Sequence, residues 1–284
     1  PILAVTMAFF LFWSPLMPLT ETLTMQYGTA GKLDYGRVRL WGSLTFIVAA
    51  WGGGSLLTGR SEDLIYWIIL GGAVAVVISA VLLPHARLTP SESHNSFAPI
   101  LRVLKDRTFL WFIVATGLIQ ASHIIYYAFG TIHWQNVGHS KAVIGWLWAE
   151  GVIAEVLLFM WGDKIVKRVG AARLIALAGL AGLIRWWGTG VTDGLPALLF
   201  LQILHGATFG AAHLGAIHFI AQRMDASVSA TSQSVYAAAV SGIGFSLASL
   251  VSGHMYATHG GAAYLPMAVM AGLGGVIAFQ LRRR

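Results

Sequence analysis

The chain has 284 residues, of which 57% are hydrophobic and only 10% are charged, whereas a soluble domain carries about 25% charged residues. This composition indicates an integral membrane protein and argues against a nucleic-acid-binding domain, despite a formal net charge of +7. Cysteine is absent from the sequence, which excludes disulfide bonds, thiolate metal sites and a cysteine nucleophile.

Apolar stretches long enough to cross a bilayer, about 20 residues each, recur along the whole chain. They are continuous rather than alternating, which predicts α-helices and not the strands of a membrane barrel. The predicted membrane-spanning segments, nine in number, are 1–27, 39–59, 64–83, 108–135, 141–161, 173–191, 195–221, 228–252 and 262–281. The sequence therefore predicts an all-α membrane protein in the form of a helical bundle.

The basic residues are distributed unequally between the two ends of these segments. If the segments alternate in direction, fifteen of the 18 Lys and Arg residues fall on one side of the membrane. The opposite side receives only Arg60 and Lys141, and Arg185 lies inside a segment. Cytoplasmic loops carry an excess of Lys and Arg, so we predict that the basic side, including the C-terminus, is cytoplasmic.

One long hydrophilic stretch, residues 84–107 (PHARLTPSESHNSFAPILRVLKDR), interrupts the apolar pattern. We predict that it is a central cytoplasmic loop between two helical bundles, 1–83 with three helices and 108–284 with six. Transporters built from two six-helix halves would have six helices before this loop. We therefore expect three N-terminal helices to be missing from the given sequence; a natural protein of nine helices is the alternative.

Four blocks of sequence carry a family resemblance. They are PLMPLTETL at 15–23, DYGRVRLWGS at 34–43, QASHIIYYAF at 120–129 and QILHGATFGAAHL at 202–214. In this order and spacing they resemble the phenylpropionate permease family of the major facilitator superfamily, over essentially the whole chain. Glu21, in the first block, stands where this family would be expected to have aspartate.

The resemblance implies helices four to twelve of a twelve-helix major facilitator bundle. It also implies proton-coupled uptake of a small organic acid, such as the aromatic carboxylate phenylpropionate, across a bacterial inner membrane. We expect a monomer whose partners are the substrate, protons and the lipid bilayer, with no cofactor, metal ion or nucleic acid. A carrier of the same superfamily for nucleosides, sugars or drugs, working by symport or efflux, is the alternative.

Polar side chains within the apolar segments are the candidate functional residues. An ionisable side chain at the centre of a membrane costs about 2.5–3.5 kcal/mol on insertion scales, so it is expected to face protein or a water-filled cavity. In the fourth and seventh segments such residues gather within sectors about 80° wide, which indicates either a cavity wall or a hydrogen-bonded helix seam. The predicted substrate and proton pathway consists of Glu21, Gln120, His123, Tyr127, Glu150, Glu155, Arg185, Gln202, His205 and His213.

The charged members of this set suggest how a proton and an acid could be coupled. Glu150 and Glu155 point about 140° apart on a helix, so at least one of them is expected to find a partner between helices. Arg185 is a candidate partner for such a glutamate, or for a substrate carboxylate through its bidentate guanidinium. Histidine changes charge near physiological pH, which suits a proton pathway.

A membrane enzyme or haem protein is the competing class of function. Zinc hydrolysis would favour clustered ligands such as His-Glu-x-x-His, whereas His205 and His213 are eight residues apart with no such cluster. The sequence also lacks a phosphate-binding loop of the Walker type. We therefore predict that the protein is not an enzyme.

Overall fold

The computed structural model describes residues 2–13, 16, 20, 23–24, 27, 35–61, 63–83 and 97–281. All regular structure within these residues is helical, and they contain no strand. The predicted all-α membrane fold class is therefore confirmed. Glu21 and residues 84–96 of the predicted central loop lie outside the described residues.

Three helices precede the predicted loop. They are α1 (Ile2–Trp13), α2 (Tyr35–Leu57) and α3 (Asp63–Leu82). Gly59, with a φ of 70°, lies in the short turn after α2, a conformation that glycine adopts without a steric penalty. Asp63 lies in the first turn of α3, where its negative charge interacts favourably with the helix dipole.

Six helices form the next part of the chain. They are α4 (Ala98–Lys105), α5 (Arg107–Ala121), α6 (Ile124–Asn136), α7 (Lys141–Met160), α8 (Gly162–Val169) and α9 (Ala171–Val191). The carboxylate of Asp106 caps α5 by accepting hydrogen bonds from the amides of Thr108 and Phe109. Helices α5 and α6 together form one apolar stretch that is interrupted at Ser122 and His123.

The remaining helices include two π-helical segments. In chain order they are α10 (Leu195–His205), the first π segment (Gly206–Gly210), α11 (Ala211–Arg223), α12 (Ala226–Ala237), the second π segment (Ala238–Gly244), α13 (Phe245–His259) and α14 (Tyr264–Leu281). π-Helical segments are rare and often lie at functional sites. Gly260, with a φ of 54°, ends α13, and a short 3-10 turn leads into α14.

The helices account for the predicted apolar segments. Seven stretches of the described chain are long and apolar enough to cross a membrane. The last of them, Ser227–Leu281, contains two predicted segments, which the break at Gly260 separates. Within the described part of the first predicted segment, 1–27, the structure contains α1. Each of the nine predicted segments thus coincides, at least in part, with described helix.

The chain divides into two compact units, Pro1–Phe46 with Glu62–Ser93 and Ile47–Ser61 with His94–Arg284. Helix α2 contributes to both of them. The division into a three-helix part, a loop and a six-helix part remains a prediction. The candidate site described below lies entirely within the second unit.

Close packing of α9 against α14 positions the candidate site. A Cβ atom added to Gly179 of α9 would overlap the backbone of Gly275 of α14. Small residues allow membrane helices to approach this closely, so that van der Waals contact replaces the missing hydrophobic drive. Arg185 follows Gly179 by six residues on α9 and is completely buried. Helix α9 therefore carries both the glycine contact and the only arginine that is buried among the described residues.

Candidate functional site

The guanidinium of Arg185 is the centre of a buried polar cluster. Its Nη1 donates to Nδ1 of His205 at 2.9 Å and to Oγ1 of Thr208 at 3.1 Å. Its Nη2 donates to Oε1 of Gln202 at 2.9 Å. All four side chains are at most 5% exposed. Since the three acceptors follow one another at intervals of three residues, they present one edge of α10 and the first π segment to α9.

Glycines allow α10 to approach its neighbour α7 at this level. A Cβ atom on Gly206, the first residue of the π segment, would lie 2.7 Å from the carbonyl oxygen of Ala154 on α7. A Cβ atom on Gly151 of α7 would lie 3.4 Å from the side chain of His205. The sequence therefore places the smallest residues where α7 meets the helix that carries the acceptors.

Two aromatic rings hold the guanidinium from the sides. Its Cζ lies 4.5 Å from the ring centroid of Tyr126 and 4.4 Å from that of Trp186. The negative face of an aromatic ring attracts a cation, more strongly when the pair is desolvated. Both rings are fixed by hydrogen bonds, Tyr126 to Oε1 of Gln202 at 3.1 Å and Trp186 to Oγ of Ser122 at 2.9 Å. The orientation of the guanidinium is therefore well determined.

The positive charge of Arg185 has no anionic partner within the described part of the chain. All of its hydrogen bonds go to uncharged acceptors, and none of the ion pairs there includes it. Buried charges are normally paired, because desolvation of an isolated ion is costly. Arg185 forms the expected ion pair with neither Glu150 nor Glu155. The arrangement is a buried cationic site that is chemically able to receive an anion.

Glu155 faces His205 instead. Its Oε2 lies 3.8 Å from Nε2 of His205, and its side chain is 21% exposed. Because a guanidinium nitrogen can only donate, Nδ1 of His205 must accept, and a neutral ring then carries its hydrogen on Nε2, towards Glu155. The hydrogen-bond network thus assigns the tautomer of His205. A second proton on this ring would place a donor against Arg185.

His123 extends the network to α5 and α6. Its Nδ1 lies 3.0 Å from the carbonyl oxygen of Ile119 and 3.2 Å from that of Gln120, so Nδ1 carries a hydrogen. Its Nε2 lies 3.2 Å from Oγ1 of Thr208. The Thr208 hydroxyl therefore connects His123 to Arg185. The guanidinium thus contacts His205 directly and His123 through this hydroxyl.

Two other predicted site residues, His213 and Tyr127, meet the cluster through aromatic ring contacts. His213 lies two turns beyond His205, and the ring of Phe209 stacks between them, at 5.5 Å from His205 and 6.3 Å from His213. Tyr127 is 40% exposed and stacks on His123 and on Trp148.

Gln120 and Glu150 each have one buried oxygen without a hydrogen-bond partner among the described residues. Neither makes any of the contacts to Arg185 given above. Glu21 lies outside the described residues. The structure thus brings together His123, Glu155, Arg185, Gln202 and His205 of the predicted set.

Three residues of the cluster were not in the predicted set: Tyr126, Trp186 and Thr208. Thr208 could have been found from its spacing, since it is a polar residue three positions after His205 in an apolar segment. Tyr126 and Trp186 carry no comparable signal, because aromatic residues in membrane helices are explained equally well by packing. Their role depends on which neighbour their helix meets.

Residues 2–265 of the chain match the model of the MFS_1 like family. The chain belongs to the MFS_1 like family. The predicted membership of the major facilitator superfamily is therefore confirmed, as is the resemblance to phenylpropionate permeases. The family and the relatives described next are membrane transporters rather than enzymes.

Two curated relatives illustrate the range of this similarity. The chain is 33% identical over 279 residues to a probable 3-phenylpropionic acid transporter of Escherichia coli K12, covering 95% of this chain and 71% of that protein. It is 24% identical to a maltose permease of Geobacillus stearothermophilus over 95% of this chain and 69% of that protein.

A solved structure supports the fold. A crystal structure of the nucleoside transporter NupG (D323A mutant) superimposes with a TM-score of 0.75 at 18% identity, covering 92% of this chain and 71% of that one. At this level of identity the similarity concerns the fold alone. It shows that the chain shares the fold of that structure.

Proposed function

We propose that the protein is a proton-coupled carrier that takes up a small organic acid, with an aromatic carboxylate as substrate, across a bacterial inner membrane. The observation that carries this proposal is the buried guanidinium of Arg185, which has no carboxylate partner in the described chain. A substrate carboxylate would supply the missing negative charge and accept charge-assisted hydrogen bonds from the planar fork.

The surroundings of Arg185 favour an aromatic acid. The faces of Tyr126 and Trp186 flank the guanidinium, and Tyr127, which is 40% exposed, stacks parallel to Trp148. An aromatic substrate ring could extend this stack, since offset stacked rings contribute about 0.5–1.5 kcal/mol beyond the area they bury. The relative with phenylpropionic acid in its name supports the same substrate class.

Proton coupling is proposed to use His205 with Glu155. A proton on Nδ1 of His205 would remove the acceptor that Nη1 of Arg185 now uses, and the carboxylate of Glu155 would stabilise the resulting cation from the other side of the ring. Protonation would therefore free the guanidinium for the substrate. Because the cluster is closed to solvent, access requires rearrangement of the helices, as in alternating-access carriers.

The test is uptake by vesicles from cells that express the gene, using labelled 3-phenylpropionate with and without an inward proton gradient. We expect accumulation that depends on the gradient and collapses with a protonophore. Arg185→Lys should weaken competition by the unlabelled acid by about tenfold or more, because the bidentate hydrogen bonds are lost, and competition by its neutral amide much less. Arg168→Lys, on the exposed surface of α8, is the matched control.

Two results would contradict the proposal. Equal weakening for the acid and the amide would assign Arg185 a structural role. Accumulation of nucleosides or sugars, and not of the acids, would favour the alternative, a carrier for those substrates. The similarities to a maltose permease and to NupG are the precedent for it.

A further inference from the structure

A groove on the outer surface of the bundle runs between α9 and α14. Its volume is about 520 Å³, and its walls are apolar side chains that are roughly half exposed, among them Leu177, Leu180, Val276 and Phe279. Gly272 and Gly275 form part of its lining and contribute no side chain. The groove thus exists because α14 presents glycines where the neighbouring positions present large residues.

Basic residues lie at one end of this groove. Arg173, in the first turn of α9, lines both the groove and a second cavity of about 360 Å³, which is also lined by Gln222 and Arg223. In the described part of the chain neither arginine forms an ion pair. Asp225, the acid nearest to Arg223 in sequence, is instead bound to Arg102 at 2.8 Å. The residues that line the two cavities include no acid.

The length of the groove corresponds to one leaflet of a bilayer. Arg173 and Leu183 are ten residues apart on α9, which is about 15 Å along a helix. The hydrocarbon core of a bilayer is about 30 Å thick, so this distance runs from the polar boundary to the midplane. An acyl chain anchored at the boundary has the same reach.

We propose that this surface is a binding site for an anionic phospholipid. One acyl chain lies in the groove along Leu177, Leu180 and Leu183, and the phosphate group lies between Arg173 and Arg223. Two cations without an ion-pair partner among the described residues, in a lining that contains no acid, select a headgroup with net negative charge over a zwitterionic one. This site is separate from the Arg185 cluster and does not depend on what the carrier transports.

The test is native mass spectrometry of the purified full-length protein, released from nanodiscs of phosphatidylcholine and phosphatidylglycerol in equal amounts. We expect one phosphatidylglycerol to be retained. The double variant R173Q/R223Q should weaken retention about thirtyfold, as expected for two arginines near an anionic headgroup. The matched control K167Q/R168Q removes two exposed charges from α8, outside both cavities, and should retain the lipid.

A second pair of variants tests the acyl chain. Leu180→Trp fills the groove from an exposed position and should abolish retention, whereas Ile184→Trp, exposed on the same helix but outside the groove, should not. The proposal fails if R173Q/R223Q and its control behave alike, or if phosphatidylcholine is retained equally. It also fails if L180W keeps the lipid, or if inorganic phosphate displaces it, since the headgroup alone would then account for binding.

Discussion

Gly179 and Gly275 bring the backbones of α9 and α14 into direct contact, with no room for a side chain at Gly179 and little at Gly275. Gly179→Ala should therefore destabilise the protein by about 1–3 kcal/mol, as overpacking in a filled interior does. The measurement is thermal unfolding in detergent, followed by circular dichroism. Gly253→Ala in α13, where a Cβ atom would meet nothing within 4 Å, should leave the midpoint unchanged or raise it. Equal effects of the two substitutions would contradict the packing argument.

The hydroxyl of Thr208 connects the guanidinium to His123. Thr208→Val keeps the shape of the side chain but leaves a buried donor and acceptor unsatisfied, which costs about 1–3 kcal/mol. We expect the apparent affinity for the transported acid to fall by about tenfold. In the control, Thr189→Val, the lost hydroxyl bonds only the backbone oxygen of Arg185. Uptake kinetics that are the same for both variants would remove Thr208 from the site.

Glu155 and Glu150 can be distinguished by their positions relative to His205. Glu155→Gln removes the negative charge 3.8 Å from the imidazole, so accumulation driven by a proton gradient should be lost while exchange of labelled for unlabelled substrate continues. Glu150→Gln should retain accumulation, because Glu150 takes part in none of the hydrogen bonds and ion pairs described above for Arg185 and His205. Paired measurements of accumulation and exchange in vesicles check this expectation. A loss of accumulation in E150Q alone would reverse the assignment.

The first π segment lies in close contact with α7 at Gly206. Gly206→Ala would place a Cβ atom 2.7 Å from the carbonyl oxygen of Ala154, so it should displace His205 and reduce transport strongly. Gly242→Ala, in the second π segment, adds a Cβ atom in open space and should be tolerated. Initial uptake rates at equal protein levels in the membrane compare the two. Normal transport by G206A would show that this contact is not needed.

The sequence was sufficient to predict the helical fold, because each membrane-spanning helix is a continuous apolar run that must satisfy its own backbone hydrogen bonds. It also identified Arg185, His123 and His205, because an ionisable side chain within a membrane span is costly and normally faces protein or a water-filled cavity. It did not reveal which partners these residues meet. The position of Glu155 beside His205 rather than Arg185 depends on how α7 and α10 pack, and apolar periodicity carries no information about that packing.

Thr208, Tyr126 and Trp186 escaped prediction for a related reason. A threonine in a helix usually bonds its own backbone, and large aromatic residues usually serve packing, so neither type draws attention alone. The π segments could not be predicted either, since GATFG at 206–210 and AAVSGIG at 238–244 have ordinary compositions for membrane helices.

The first π segment gives the site a means of changing register. Such a segment contains one residue more than the α-helix would need for the same path, and rewinding it to α geometry would turn α11 by about 100° and shift it by about 1.5 Å. His205 precedes the segment and His213 follows it. A single local rewinding would therefore rotate His213 relative to His205 while the contact between Arg185 and His205 stayed in place, uncoupling the two halves of this membrane-spanning stretch.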